Sequence, residues 1–186
     1  MTGISVYIDG ANFHGCLSNI NKFYFDLYFD FEKYIKNIIG KNNLIKVYYY
    51  NGYSKKKINA NAWGRQNKLF NRLRKLKNWN VVLCRKQESY EENGKRFFKL
   101  KEDDIRLAIN ALSDAYEDKF DKMVLISSDR DFIPLIRQIK KTGKEIEAHY
   151  FESSVSGKFL SLFEEHNKKK ITKSVIKRHF FKENKN

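Results

Sequence analysis

Apolar positions along the chain follow two alternating patterns. Short, nearly continuous apolar or β-branched runs lie at 4–8, 44–50, 81–84 and 120–126, and 145–150 alternates. Runs of that length, bounded by turn residues, predict buried strands. Between them apolar residues recur at spacings of three and four. Phe31, Tyr34, Ile35 and Ile38 predict a helix over 31–39, capped by Asp30 and ended by Gly40. Leu69, Phe70, Leu73 and Leu76 belong to a basic helical region over 55–77, and Leu107, Ala108, Ala111 and Ala115 to a helix over 101–117. Phe132, Leu135, Ile136 and Ile139 predict a helix over 132–141, with Pro134 in its first turn, where a missing N–H does little harm. Phe159, Leu160, Leu162 and Phe163 suit a short helix. Residues 88–94 contain a turn, and Arg96–Leu100 returns as a hairpin arm. Residues 13–30 read as an irregular or partly extended connection, because Phe23, Phe25, Leu27 and Phe29 alternate while Tyr24 and Tyr28 lie between them. Strands alternating with helices predict an α/β fold with a mainly parallel, five-stranded central sheet. The expected division is a domain over 1–155 and a basic helical extension over 156–186.

Composition adds a partner class. Hydrophobic residues make up 41% of the 186, enough for a core, while the net charge of +15 makes the surface strongly basic. Such a balance suggests a polyanionic partner such as nucleic acid or an anionic membrane, although AT-rich codons favour the same lysine-rich usage. The two cysteines, Cys16 and Cys84, have no paired spacing and suit reduced thiols in the cytoplasm. No signal peptide and no membrane-spanning run is read from the sequence.

Candidate chemistry sits where strands end. Ile4–Ile8 runs into Asp9-Gly10-Ala11-Asn12, and Met123–Ile126 runs into Ser127-Ser128-Asp129-Arg130-Asp131-Phe132. In open α/β sheets, ligands bind outside the carboxyl ends of the strands. If the two strands are neighbours, Asp9, Asp129 and Asp131 converge. Asp104 joins them from the first turn of the 101–117 helix, on the face that its apolar stripe turns to the sheet. Each acid has a blander role open to it. Glu102, Asp103 and Asp104 would complement a helix dipole, Asp129 would cap a helix, and Asp9 would stabilise a turn. Clustered carboxylates repel unless a cation or a shared proton offsets them. Oxygen donors without a His/Cys cluster point to Mg²⁺ or Mn²⁺, one ion or two, which suits hydrolysis at phosphorus. Asn12, Ser127 and Ser128 are placed to hydrogen-bond a carboxylate or a phosphate, and Arg130 to reach phosphate.

Three blocks carry a family resemblance: Ile8-Asp9-Gly10-Ala11-Asn12, Lys101-Glu102-Asp103-Asp104 and Ser127-Ser128-Asp129-Arg130-Asp131-Phe132. They resemble the signature blocks of NYN-domain proteins, within the PIN-like nuclease superfamily, over roughly residues 3–152. The resemblance implies a Rossmann-like three-layer α/β/α sandwich and metal-dependent cleavage of RNA phosphodiesters. By it, Asp9, Asp104, Asp129 and Asp131 are the catalytic and metal-site acids, and Asn12 supports them. Two positions depart from the family pattern. Asn110 stands where a further acid is common, and Ser128 where glycine is common.

Basic residues suggest how RNA would be held. Arg65, Lys68 and Arg72 concentrate on the 55–77 helix beside Lys55, Lys56 and Lys75, and Lys101 lies beside the acids. Such residues give salt-sensitive, largely sequence-independent affinity for phosphates. Tyr53, Trp63 and Tyr90 are candidates for stacking on unpaired bases. The tail has three readings: an RNA clamp, a membrane-surface helix, or a helix packed on the domain. The leading reading of the whole is a metal-dependent ribonuclease, an endoribonuclease, acting on single-stranded or structured RNA. The alternatives are a non-catalytic nucleic-acid-binding module and a small-molecule phosphohydrolase. Against the last, position 11 is alanine rather than a second acid. A homodimer is left open.

Overall fold

The first strand sorts its side chains between two layers. In β1 (Gly3–Asp9), Ile4, Val6 and Ile8 enter one core and Tyr7 the other, the two-residue period of an extended chain. A computed structural model describes residues 1–53, 57, 59–90, 96–100 and 102–181, with 86–90 and 96–100 described by backbone alone. In chain order the further strands are β2 (Asn43–Gly52), β3 (Trp79–Cys84), β4 (Lys86–Tyr90), β5 (Arg96–Leu100), β6 (Lys122–Ile126), β7 (Glu145–Tyr150) and β8 (Lys168–Lys170). The helices are α1 (Gly10–Ile20), α2 (Phe31–Ile39), α3 (Ala60–Arg74), α4 (Asp103–Tyr116), α5 (Ile133–Lys141), α6 (Gly157–Leu160) and α7 (Lys173–Arg178).

The central sheet is six-stranded, in the order β3-β2-β1-β6-β7-β8, and every neighbouring pair in it is parallel. Phe13 and Leu17 of α1, Ile35 and Ile39 of α2, Phe70 and Leu73 of α3 and Ile176 of α7 share one core with Val6 and Ile8. Leu107 and Ala111 of α4 and Ile136 and Ile139 of α5 share the other with Tyr7 and Leu125. The fold is therefore a three-layer α/β/α sandwich. β4 and β5 pair as an antiparallel hairpin between β3 and α4.

Three expectations change. The sheet has six strands, not five, because Lys168–Lys170 pairs with Ala148–Tyr150. These lysines have no strand-like apolar pattern. They pair because the outer edge of β7 presents main-chain groups that need partners, and lysines suit an exposed sheet edge. The tail is accordingly not the wholly helical extension expected over 156–186. Its last part is β8 followed by the short α7, whose Ile176 is fully buried in the core. Sheet and core thus continue past residue 155, the expected domain boundary. Residues 13–30 also differ, since most of the first half is α1. Phe13, Cys16, Leu17 and Ile20 keep helical spacing there, and Asp9 caps the helix by accepting from the Asn12 N–H.

Local signals elsewhere act as expected. Asp30 Oδ1 accepts from the Lys33 N–H at 3.0 Å to cap α2, and Gly40 ends it with φ of 57°. Asp30→Ala should lower stability by about 1 kcal/mol, the usual cost of a lost N-cap. Urea unfolding checks this, and an unchanged midpoint would show that the cap contributes nothing.

Candidate active site at the sheet switch point

Strand order reverses between β1 and β6, which are hydrogen-bonded neighbours. The helix after β1 covers one face and the helix after β6 covers the other. Their divergence opens a crevice at the carboxyl edge, where doubly wound sheets bind ligands. Asp9 ends β1 in this crevice and is only 4% exposed. Its Oδ1 accepts from the Asn12 N–H at 2.9 Å and its Oδ2 from the Ser127 hydroxyl at 3.0 Å.

The β6 turn is tied to β1 through side chains. Asn12 Oδ1 accepts from the Ser128 N–H at 3.0 Å, and Ser127 Oγ accepts from the Asp129 N–H at 3.1 Å. Ser128 Oγ accepts from the Phe151 N–H at 2.8 Å and faces the Phe151 carbonyl at 3.3 Å. Ser127 and Ser128 were expected to hydrogen-bond a carboxylate or a phosphate, and Ser127 meets the Asp9 carboxylate. They are buried, and their hydroxyls are engaged within the protein. Asp129 Oδ1 accepts from the Asp131 N–H at 2.9 Å, closing the short turn that carries Arg130 and Asp131 at the exposed rim.

The third wall is the start of α4. Glu102 enters the helix with φ of 76°, a backbone region that non-glycine residues seldom adopt. Its carboxylate is 3.3 Å from both Arg85 and Arg106. The next two residues deliver the acids. Carboxylate oxygens of Asp9, Asp103 and Asp104 lie within 4.8 Å of one another. Asp129 and Asp131 are outside that tight group, yet their charges reach Asp104, and that of Asp129 reaches Asp103. Asp103 is the residue that sequence reasoning passed over as a dipole partner. The signal for it was present: counting back four from the buried Leu107 gives Asp103.

The electrostatics follow from crowding in a confined site. Burial lifts the Asp9 carboxyl to about 7, against the hydrogen bond from Asn12, and repulsion from Asp104 adds to the rise. Burial also lifts Asp104 to about 6, with Asp103, Asp129 and Asp131 contributing. Asp103 is raised as well, first by burial. Among the described residues, the charges that act most strongly on these three acids are those of other carboxylates. An all-carboxylate donor set fits a hard divalent cation.

Other expected contacts scatter. Arg72 donates to the carbonyls of Leu27 at 2.7 Å and Phe29 at 3.0 Å, so it fastens a turn to α3. The Arg65 guanidinium lies 4.4 Å from the Phe25 ring centroid, and Lys68 is exposed. Trp63 Nε1 donates to the Tyr53 hydroxyl at 2.8 Å. Asn110 Nδ2 donates to the buried Tyr50 hydroxyl at 2.9 Å, which locks α4 to β2. Lys101, Lys55, Lys56 and the Tyr90 side chain lie outside the described residues.

A family model for the NYN domain matches residues 3–167, nearly the whole chain. The chain belongs to the NYN-domain family. NYN domains are a PIN-like nuclease family, and the acidic cluster of this NYN domain occupies the crevice just described. Among solved structures it is similar to a protein of unknown function, VPA0982, from Vibrio parahaemolyticus RIMD 2210633. That match has 15% identity and a TM-score of 0.65, covering 92% of this chain and 94% of that one. At such low identity it shows the shared fold alone. A structure from Parabacteroides merdae ATCC 43184 overlaps with a TM-score of 0.31 and 11% identity, covering 87% of this chain and 27% of that one, and carries no weight. No curated protein matches the NYN domain significantly. Among its described residues no helix is long and apolar enough to cross a membrane.

Proposed function

We propose that this NYN domain is a Mg²⁺- or Mn²⁺-dependent endoribonuclease that hydrolyses RNA phosphodiesters. The observation carrying this reading is the close approach of the Asp9, Asp103 and Asp104 carboxylates, which among the described residues raise one another's charge cost. A divalent cation, when bound there, supplies a counter-charge and electrostatic stabilisation of the phosphoryl oxygens. The protein's part is positioning. Two donors hold the Asp9 carboxylate in one orientation. Asp103 and Asp104 present further oxygens from a helix start, a rigid platform. Asp129 and Asp131, carried on their own turn, orient the attacking water. The basic surface holds the strand by its phosphates.

Asn110 favours a second reading, a non-catalytic nucleic-acid-binding module. Its amide is committed to Tyr50, so this position adds no charge to the acids. Labelled RNA incubated with Mn²⁺, Mg²⁺ or EDTA separates the two. The expected result is metal-dependent cutting that falls about a hundredfold or more in Asp104→Asn, while RNA affinity measured in EDTA stays near wild type. RNA binding without cutting by either protein would establish the module instead. Turnover of a small phosphate ester but not of RNA would move the activity to phosphohydrolysis.

A further inference from the structure

We infer that α3 and the turn packed along it form a track for single-stranded nucleic acid, on which unpaired bases stack. The inference deepens the ribonuclease reading by naming the strand class, and it rests on that reading for the identity of the polyanion.

The argument starts from helix geometry. Arg65, Lys68, Arg72 and Lys75 follow one another at spacings of three, four and three, so they line one side of α3 and its C-cap. The neighbouring side, with Leu69, Phe70 and Leu73, is buried in the core. No acidic residue occurs between Ala60 and Arg74. The two acids whose charges reach Arg72 are both engaged, Asp26 with the Tyr49 hydroxyl and Asp30 as the cap of α2. Lys68 and Lys75 are exposed and form no ion pair among the described residues. A stripe of this kind attracts phosphates without reading sequence.

Lysines alone would not distinguish a single strand from a duplex. The aromatic rings bordering the stripe do. Phe25 lies under Arg65, and its ring is 6.3 Å from that of Tyr28. The Phe181 N–H donates to the Tyr28 carbonyl at 2.9 Å, and the Phe181 ring lies 4.7 Å from the Arg72 guanidinium. Tyr28 is 44% exposed and Phe181 42%. Apolar rings left in water beside fixed cations match the two parts of an unpaired nucleotide, a π face and a phosphate. A duplex presents phosphates but keeps its π faces stacked inside. The stripe also starts at the correct end of the sheet. Gln66, next to Arg65, donates to the Gly52 carbonyl at 3.1 Å, at the carboxyl end of β2. Tyr50 of that same strand end is the register partner of Asp9.

Fluorescence anisotropy in EDTA tests the track without any cleavage. The probes are a labelled single strand of about 12 nucleotides, within the usual range of site sizes, the same length as duplex, and inorganic polyphosphate as a base-free polyanion. Wild type should bind the single strand more tightly than the duplex. Tyr28→Ala and Phe181→Ala should each weaken single-strand binding about tenfold and leave polyphosphate binding unchanged. Lys68→Ala with Lys75→Ala should weaken both and flatten the salt dependence. Aromatic variants that bind the strand like wild type, or that lose polyphosphate equally, overturn the inference, as does a duplex bound as tightly as the strand. Tyr28→Ala and Phe181→Ala are independent surface changes, so a fold defect in one leaves the other to decide. Cutting of RNA in Mn²⁺ is scored separately. Cleavage with no dependence on the rings keeps the nuclease and removes the track. Ring-dependent strand binding with no cleavage does the reverse.

Discussion

Asp9→Asn is expected to reduce metal-dependent RNA cleavage by about a thousandfold, the equivalent of roughly 4 kcal/mol in the barrier, and yet to stabilise the metal-free protein above pH 7. The opposite signs come from one cause. Asp9 is buried beside Asp103 and Asp104, so its charge is costly until a cation offsets it. The carboxyl ionises near 7 in the fold against 3.8 in the open chain. Below pH 3.8 it is protonated in both states and costs nothing. Between those values the folded state binds the extra proton, so stability falls as pH rises. Above 7 the full penalty applies, on the order of 4 kcal/mol for Asp9 alone. Asparagine keeps an oxygen to accept from the Asn12 N–H and never ionises. Urea unfolding of metal-free protein at pH 4 and pH 8 measures the effect. Relative to the variant, wild type should lose stability towards the higher pH and recover it with Mn²⁺, because a ligand that binds only the folded state stabilises it. The variant should show a much smaller pH slope. A variant whose pH slope equals that of wild type would remove the electrostatic basis of the site.

Gly10→Ala is the second large effect, and it acts on the fold. A Cβ at Gly10 would sit 2.5 Å from Tyr49 Cζ and 2.6 Å from the Tyr50 carbonyl oxygen. Neither neighbour can yield. Tyr49 is fully buried, with its hydroxyl on Asp26 at 3.0 Å, and the Tyr50 main chain belongs to a strand paired on both sides. Overpacking of this kind costs about 3 kcal/mol or more, a drop of roughly 10 °C in a domain of this size. Gly15→Ala is the matched control on the same helix. Its added Cβ meets nothing within 4 Å, and alanine in a helix interior should gain up to about 1 kcal/mol. Thermal unfolding of both decides it. Equal midpoints would show that the start of α1 and β2 do not approach as closely as described.

That contact explains why the Asp9-Gly10-Ala11-Asn12 block was partly legible and partly not. The acid at a strand end could be read from the apolar run before it, and the strand-end position is where α/β sheets bind ligands. The reason for glycine could not, because the atoms it avoids belong to a strand some forty residues away. Ser127 shows the same limit. A small hydroxyl residue before an acidic turn suits a phosphate contact or a structural one. Only the neighbouring β1 supplies Asp9 as its acceptor. Arg72 reads as one member of a basic stripe, whereas the carbonyls it holds come from the 27–29 turn.

Local pattern by itself determined the element types of β1, β2, β6 and β7 and of α2 to α5, because burial on one side of a helix or both sides of a strand must be written into successive residues. It also placed the acids at element ends. Tertiary structure alone decided that three lysines become an edge strand and that the residues after Asp9 form a helix despite a stripe diluted by Asn12, His14, Gly15 and Ser18. Those outcomes depend on which distant segment lies alongside. Strand order sets that neighbour, and no single stretch of sequence encodes strand order.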